Sequence, residues 1–209
     1  MPTEVGQTVA VLERAAGPVA PDRVSALARA DVRRYVEQQL AAAGRVLVEH
    51  ARDGTVIAYA SGYDDQIAGR LATEGLGVLD RFDQAVVALV LLHTVAVPAT
   101  RGRMPVPWSS APGVSYKRLF DARRFPNGAV RDAVSRLDAA GILTNARASG
   151  IRPGPALDRL TDRQRRTVEA RLVAAVAPDD PVVARLAARA DLSPTTSDPY
   201  RDEQGRHDG

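Results

Sequence analysis

The sequence predicts a mostly α fold with small β-hairpins, an α+β arrangement of two similar units in tandem followed by further C-terminal helices. Three observations carry that expectation. In the stretch from Asn127 to Leu143, Val130, Ala133, Val134, Leu137 and Ala140 recur at helical spacing and line one face. Gly141 follows as the left-handed residue that ends a helix cheaply, and Ile142-Leu143 opens an extended run. The same phrase stands 98 residues earlier, where Val32, Arg33, Val36, Leu40 and the Ala run before Gly44 repeat it with one residue more. A repeat at that distance suits two related domains and is too long for a solenoid unit. Chance is the competing reading, because Ala, Val, Arg and Leu are abundant here. Finally, Asp53-Gly54 lies between the β-branched runs Val46 to Arg52 and Thr55 to Tyr59, which reads as a hairpin.

Taken in order, Val5, Val9, Leu12 and Ala16 give a first helix, stopped at Gly17-Pro18. Asp22 is expected to cap a short helix to about Leu27, and Asp31 to cap the helix that carries the first copy of the phrase. The hairpin completes a unit over 1–62. A linker over 63–78 holds a short helix from Asp64 to Leu71 and the breakers Gly75 and Gly77. From Leu79 to Val97 runs a strongly apolar helix, which reads as buried and too short for a membrane span. Its β-branched content permits a strand, but the length is against one. Thr100 to Gly113 is a Pro-rich loop with Arg101, Arg103 and the single Trp108, read either as a hydrophobic pin or as a stacking residue. A short helix over Ser115 to Ala122, the Asn127 helix and a poor hairpin over Ile142 to Ile151 follow. Thr161 to Gln164 is a capping box opening a helix to about Val176 and closing a second unit over 79–177. A short last helix over 178–192 and a disordered tail over 193–209 complete the expectation.

Helix, short helix, helix and hairpin, over about Val5 to Tyr59, resembles the winged helix-turn-helix superfamily in topology and patterning. The segment Arg81 to Thr100, RFDQAVVALVLLHTVAVPAT, is similar to the long opening helix and following Pro-Thr of the second domain of ScpB-like proteins. Those proteins carry two winged helices in tandem and bind kleisins in SMC complexes. The resemblance implies a fold of two winged-helix domains plus C-terminal helices. It also implies, as one alternative, a scaffold subunit that binds a protein partner; the first winged helix and the loop at 98–113, which departs from the ScpB-like pattern, are the surfaces this sequence offers for one.

The 209 residues carry 45% hydrophobic but only 4% aromatic side chains, so Ala, Val and Leu fill the cores. Without Cys there is no disulfide, thiolate metal site or Cys nucleophile, and a reducing, cytoplasmic setting is expected. His50, His93 and His207 form no metal-ligand spacing, and phosphate-loop, dinucleotide and nucleophile-elbow motifs are missing. No catalytic residue, cofactor or metal is expected. The formal charge is +3, and Lys117 is the only lysine among 28 basic residues.

Arginine grips phosphate and guanine edges with two donors, so clustering matters more than net charge. Lys117, Arg118, Arg123, Arg124, Asn127, Arg131, Ser135 and Arg136 gather on or beside the third helix of the second unit, with Arg147 in its hairpin. In a winged helix that helix enters the major groove. Asn127 and Arg131 are expected at base edges, and the basic side chains at phosphates. Arg33 and Arg34 offer a weaker counterpart in the first unit. The expected partner is double-stranded DNA, for a regulator or chromosome-associated factor, with no membrane and a homodimer. Asp121, Asp132 and Asp138 dilute the patch and support the opposing reading of a solvated helix face.

Overall fold

The computed structural model describes residues 2–101, 106–120, 127–146 and 149–176. It is mixed α and β, mostly helical, with two separate antiparallel hairpins. Helix α1 (Pro2–Arg14) buries Val5 and Leu12. A 3-10 stretch, Pro21–Ala28, kinks at Val24, and α2 (Ala30–Ala42) follows with Val32, Val36 and Leu40 inside. The two caps expected here do not form. Ala20 and Arg29 occupy the cap positions without side-chain bonds, and Asp31 lies in the first turn of α2, 3.7 Å from Arg29. A carboxylate there still meets the positive end of the helix dipole.

Strand β1 (Arg45–Arg52) pairs with β2 (Thr55–Tyr63) through a turn in which Asp53 and Gly54 both have positive φ, 51° and 77°. That is the turn chemistry the Asp-Gly pair demands. Strand β2 runs past the expected end at Tyr59. Ala60, Ser61 and Gly62 are small, and the segment 155–160 lies against them: a Cβ at Gly62 would fall 2.4 Å from the Arg159 carbonyl oxygen.

Asp64 caps α3 (Asp65–Thr73) by accepting from the Gln66 and Ile67 amides. Asp80 then caps α4 (Arg81–Leu91), which continues through a π turn (Leu92–Ala96) into α5 (Val97–Thr100). The helix therefore outruns its expected end at Val97. Pro98 has no N–H, and its ring would crowd the Thr94 carbonyl in a regular helix. The π turn, with Val97 N–H bonded to the Leu92 carbonyl, widens the helix just before it. At 20 residues, Arg81–Thr100 is long and apolar enough by length and composition to cross a membrane, contrary to the expectation from its sequence. Its Val86, Val90, Leu91, Val95 and Ala96 are buried inside the protein.

Helix α6 (Tyr116–Phe120), helix α7 (Asn127–Ala139) and strands β3 (Leu143–Ala146) and β4 (Gly150–Pro153) follow. The capping box forms as read: Thr161 N donates to Gln164 Oε1 at 3.1 Å and Gln164 N to Thr161 Oγ1 at 3.2 Å, opening α8 (Asp162–Val176). The expected helix over 178–192 and tail over 193–209 lie outside the described residues.

The halves match beyond helix order. Val19, between the first two helical elements, bridges to Tyr59 of β2; Val114, at the corresponding place, bridges to Ile151 of β4. Gly44 and Gly141 end α2 and α7 with φ of 68° and 69°. One core joins α1, the 3-10 stretch, α2 and Tyr59; another joins α4, α7, Val114, Leu119, Leu143 and Ile151. A third, around Leu91, Val95 and Trp108, takes Leu157, Leu160, Val168 and Leu172 against it. Val168 and Leu172 of α8 thus pack within the chain.

Candidate nucleic-acid interface

Helix α7 buries Val130, Ala133, Val134 and Leu137. Ile142 N bonds to the Leu137 carbonyl and Gly141 N to that of Asp138, both at 2.9 Å, so the helix ends in a Schellman motif around Gly141. The other side presents Gly128, Arg131, Asp132, Ser135, Arg136 and Asp138 to solvent.

That exposed side divides in two. Toward α4, Arg136 grips the buried Asp83 carboxylate with both Nη2, at 2.6 Å, and Nε, at 3.3 Å, and Asp80 stands 4.0 Å away. The Asp83 hydrogen bonds push the Arg136 pKa above its usual range. Toward the hairpin, the Arg131 guanidinium lies 6.0 Å from the Tyr116 ring centroid. Asn145 of β3 donates to the Tyr116 hydroxyl at 3.0 Å, and its amide N donates to Asp138 Oδ1 at 3.1 Å. The first turn of α6, the exposed row of α7 and the hairpin are tied together there.

Lys117 and Arg118 follow Tyr116 in α6, both exposed, and Ser135 stands one turn beyond Arg131. Among the described residues no carboxylate pairs with Lys117, Arg118 or Arg131. Arg123, Arg124 and Arg147 lie outside the described residues, as does the side chain of Asn127. Of the expected second-unit contacts, Arg131, Ser135, Lys117 and Arg118 remain open, whereas Arg136 is committed to α4.

In the first unit, Arg33 bonds to Glu37 at 3.1 Å and pairs with Glu49 of β1. Arg34 is exposed and lies 5.5 Å from the Tyr35 ring centroid. Arg29 bonds to Glu4 at 2.8 Å, and Arg45 lies 3.8 Å from the Tyr63 ring centroid.

A buried polar junction between the halves, which no spacing in the sequence announces, joins β1 to the segment before α8. His50 is fully buried on β1, and its Nε2 meets the Asp158 carbonyl oxygen at 2.9 Å. The Asp158 carboxylate, also buried, accepts from Ser109 N at 3.3 Å. Burial lowers the His50 pKa and raises those of Asp158 and Glu169. Trp108 is 2% exposed, and among the described residues neither its Nε1 nor Glu169 Oε1 has a hydrogen-bond partner. The same segment donates from Arg159 to the Ala15 carbonyl and from Thr161 to Asp65 at 2.7 Å. Only the burial of His50 is legible in the sequence, because Val48 and His50 share the inward face of β1 by alternation.

No protein-family model, curated protein or solved structure matches this chain.

Proposed function

We propose that the chain is a non-catalytic DNA-binding protein built from two winged-helix units in tandem, a regulator or chromosome-associated factor acting on duplex DNA. The observation that carries the reading is the repeated order of helix, bridging residue, short helix, helix and hairpin, with an α7 whose outward row holds Arg131 and Ser135. A helix so placed fits a major groove, with its basic neighbours at the phosphates. Lys117 and Arg118 supply such neighbours.

The test is anisotropy of a labelled mixed-sequence duplex titrated with the full chain. Binding with a Kd of roughly 1–100 μM or tighter, weakening steeply with salt, is expected of phosphate contacts. No binding at low salt contradicts the proposal.

A second reading is a scaffold subunit like the ScpB-type partners of SMC-kleisin complexes. One observation favours it: an open groove of about 700 Å³ runs between α1 and the Pro21–Ala28 stretch, lined by Val11, Ala15, Val24 and Ala26 with Arg14 and Arg23 beside them. On that reading the chain leaves duplex DNA unbound, and Val11→Glu abolishes capture of a protein partner.

A further inference from the structure

We infer that the two units have diverged in charge, so that the chain carries one duplex site, on the second unit, while the equivalent face of the first is closed from within. This rests on the reading under Proposed function.

The two copies of the helix phrase place Arg33 and Arg131 at the same position, each directly after the buried valines Val32 and Val130. Their surroundings are opposite. Arg33 is neutralised by Glu37, one turn further along α2, and by Glu49 of the neighbouring strand. One turn beyond Arg131 stands Ser135. Strand register fixes the second comparison. Glu49 faces Tyr59, the residue that bridges to Val19; Asn145 faces Ile151, the residue that bridges to Val114. Asn145 therefore holds the place of Glu49. Both carboxylates that neutralise Arg33 have neutral counterparts around Arg131.

A second observation points the same way. Arg33 and the β1 residues Val46 to Glu49 share a cleft of about 300 Å³ with Thr161 and Asp162, at the start of α8. A major groove about 12 Å wide accepts one helix of roughly 10–12 Å diameter, with nothing beside it. The start of α8 lies across this cleft from Arg33 and stands in the way of a duplex approaching α2. The first hairpin is also engaged: His50 meets Asp158, and Gly62 packs under Arg159. Around α7, the Arg131 guanidinium lies over the Tyr116 ring, and among the described residues no carboxylate pairs with it.

The experiment compares the full chain with two variants, Arg33→Gln/Arg34→Gln and Lys117→Gln/Arg118→Gln/Arg131→Gln, each checked for an unchanged thermal melt. Duplex affinity is measured across a salt series. The second variant should weaken binding and flatten the slope of log K against log[salt] by about 1.8, at about 0.9 for each of the phosphate contacts of Lys117 and Arg118. The first variant should keep the wild-type slope and affinity. A short duplex should saturate at one per chain. If the wild-type chain binds no duplex, the DNA reading fails and this inference fails with it. If it binds, but Arg33→Gln/Arg34→Gln weakens binding tenfold or two duplexes bind per chain, only the one-site assignment is overturned.

Discussion

Gly62 shows what the close approach of two backbones demands. A methyl group there would meet the Arg159 carbonyl oxygen at 2.4 Å and Val48 Cγ2 at 2.8 Å. Gly62→Ala is therefore expected to cost about 1–3 kcal/mol, the range for forcing volume into a packed site. A fall in the urea midpoint measures it; an unchanged midpoint means the segment 155–160 yields freely. His50 sets a pH dependence. Burial lowers its pKa, so below the unfolded value of about 6.5 the unfolded chain takes a proton that the folded chain resists. The stability from neutral His50 is complete above that pH and declines as pH falls toward the lowered value. Asp158, Arg165 and Asp162 face it, and Asp158 and Asp162 act in the opposite sense to burial. His50→Gln, which keeps a donor for the Asp158 carbonyl, should flatten the loss of stability between pH 7 and 5, read from denaturant melts. A variant with the wild-type pH profile contradicts this. Arg136 reads as solvent-facing by periodicity, and its partner Asp83 lies 53 residues away, beyond the reach of any local pattern.

At the scale of elements, local chemistry was legible where one residue decides. Asp53-Gly54 sets the first hairpin turn, Gly141 ends α7, and Thr161 with Gln164 opens α8. Asp22 and Asp31 failed as caps because helix starts are decided within one residue, and both elements begin a residue or more earlier. The end of α4–α5 was also misplaced. Pro98 reads as a stop, but the π turn before it removes the conflict with the Thr94 carbonyl. Thr161 bonds both its own helix start and Asp65 of α3. Thr161→Ala should therefore cost about 1–2 kcal/mol, at or above the usual value of a cap. A shift in urea midpoint at constant slope checks it; no shift would mean that solvent replaces both bonds without loss.

For the whole molecule, one buried cluster lies in each half of the chain. What joins the halves was not legible, because its contacts span large separations: His50 to Asp158 is 108 residues and Arg159 to Ala15 is 144. Trp108 lies in the Pro-rich loop by sequence, yet it is sealed in the third core and is no stacking platform. The candidate interface was half legible. Spacing placed Arg131 and Ser135 on the outer row of α7, but whether an arginine is open or neutralised depends on a neighbouring strand or helix. On the proposed reading, Arg131→Ala weakens duplex binding by about 1–3 kcal/mol if it reads a base edge, whereas Arg136→Ala mainly destabilises the fold. Anisotropy and melting, measured on both variants, separate the two roles; the opposite pattern contradicts them.

The most direct measurement is hydrogen–deuterium exchange of the full chain with and without a saturating mixed-sequence duplex. The account predicts slowed exchange over residues 116–120 and 127–146, with residues 30–52 unchanged. Slowing over 30–52 and none over 127–146, or no slowing anywhere in the presence of duplex, would contradict it.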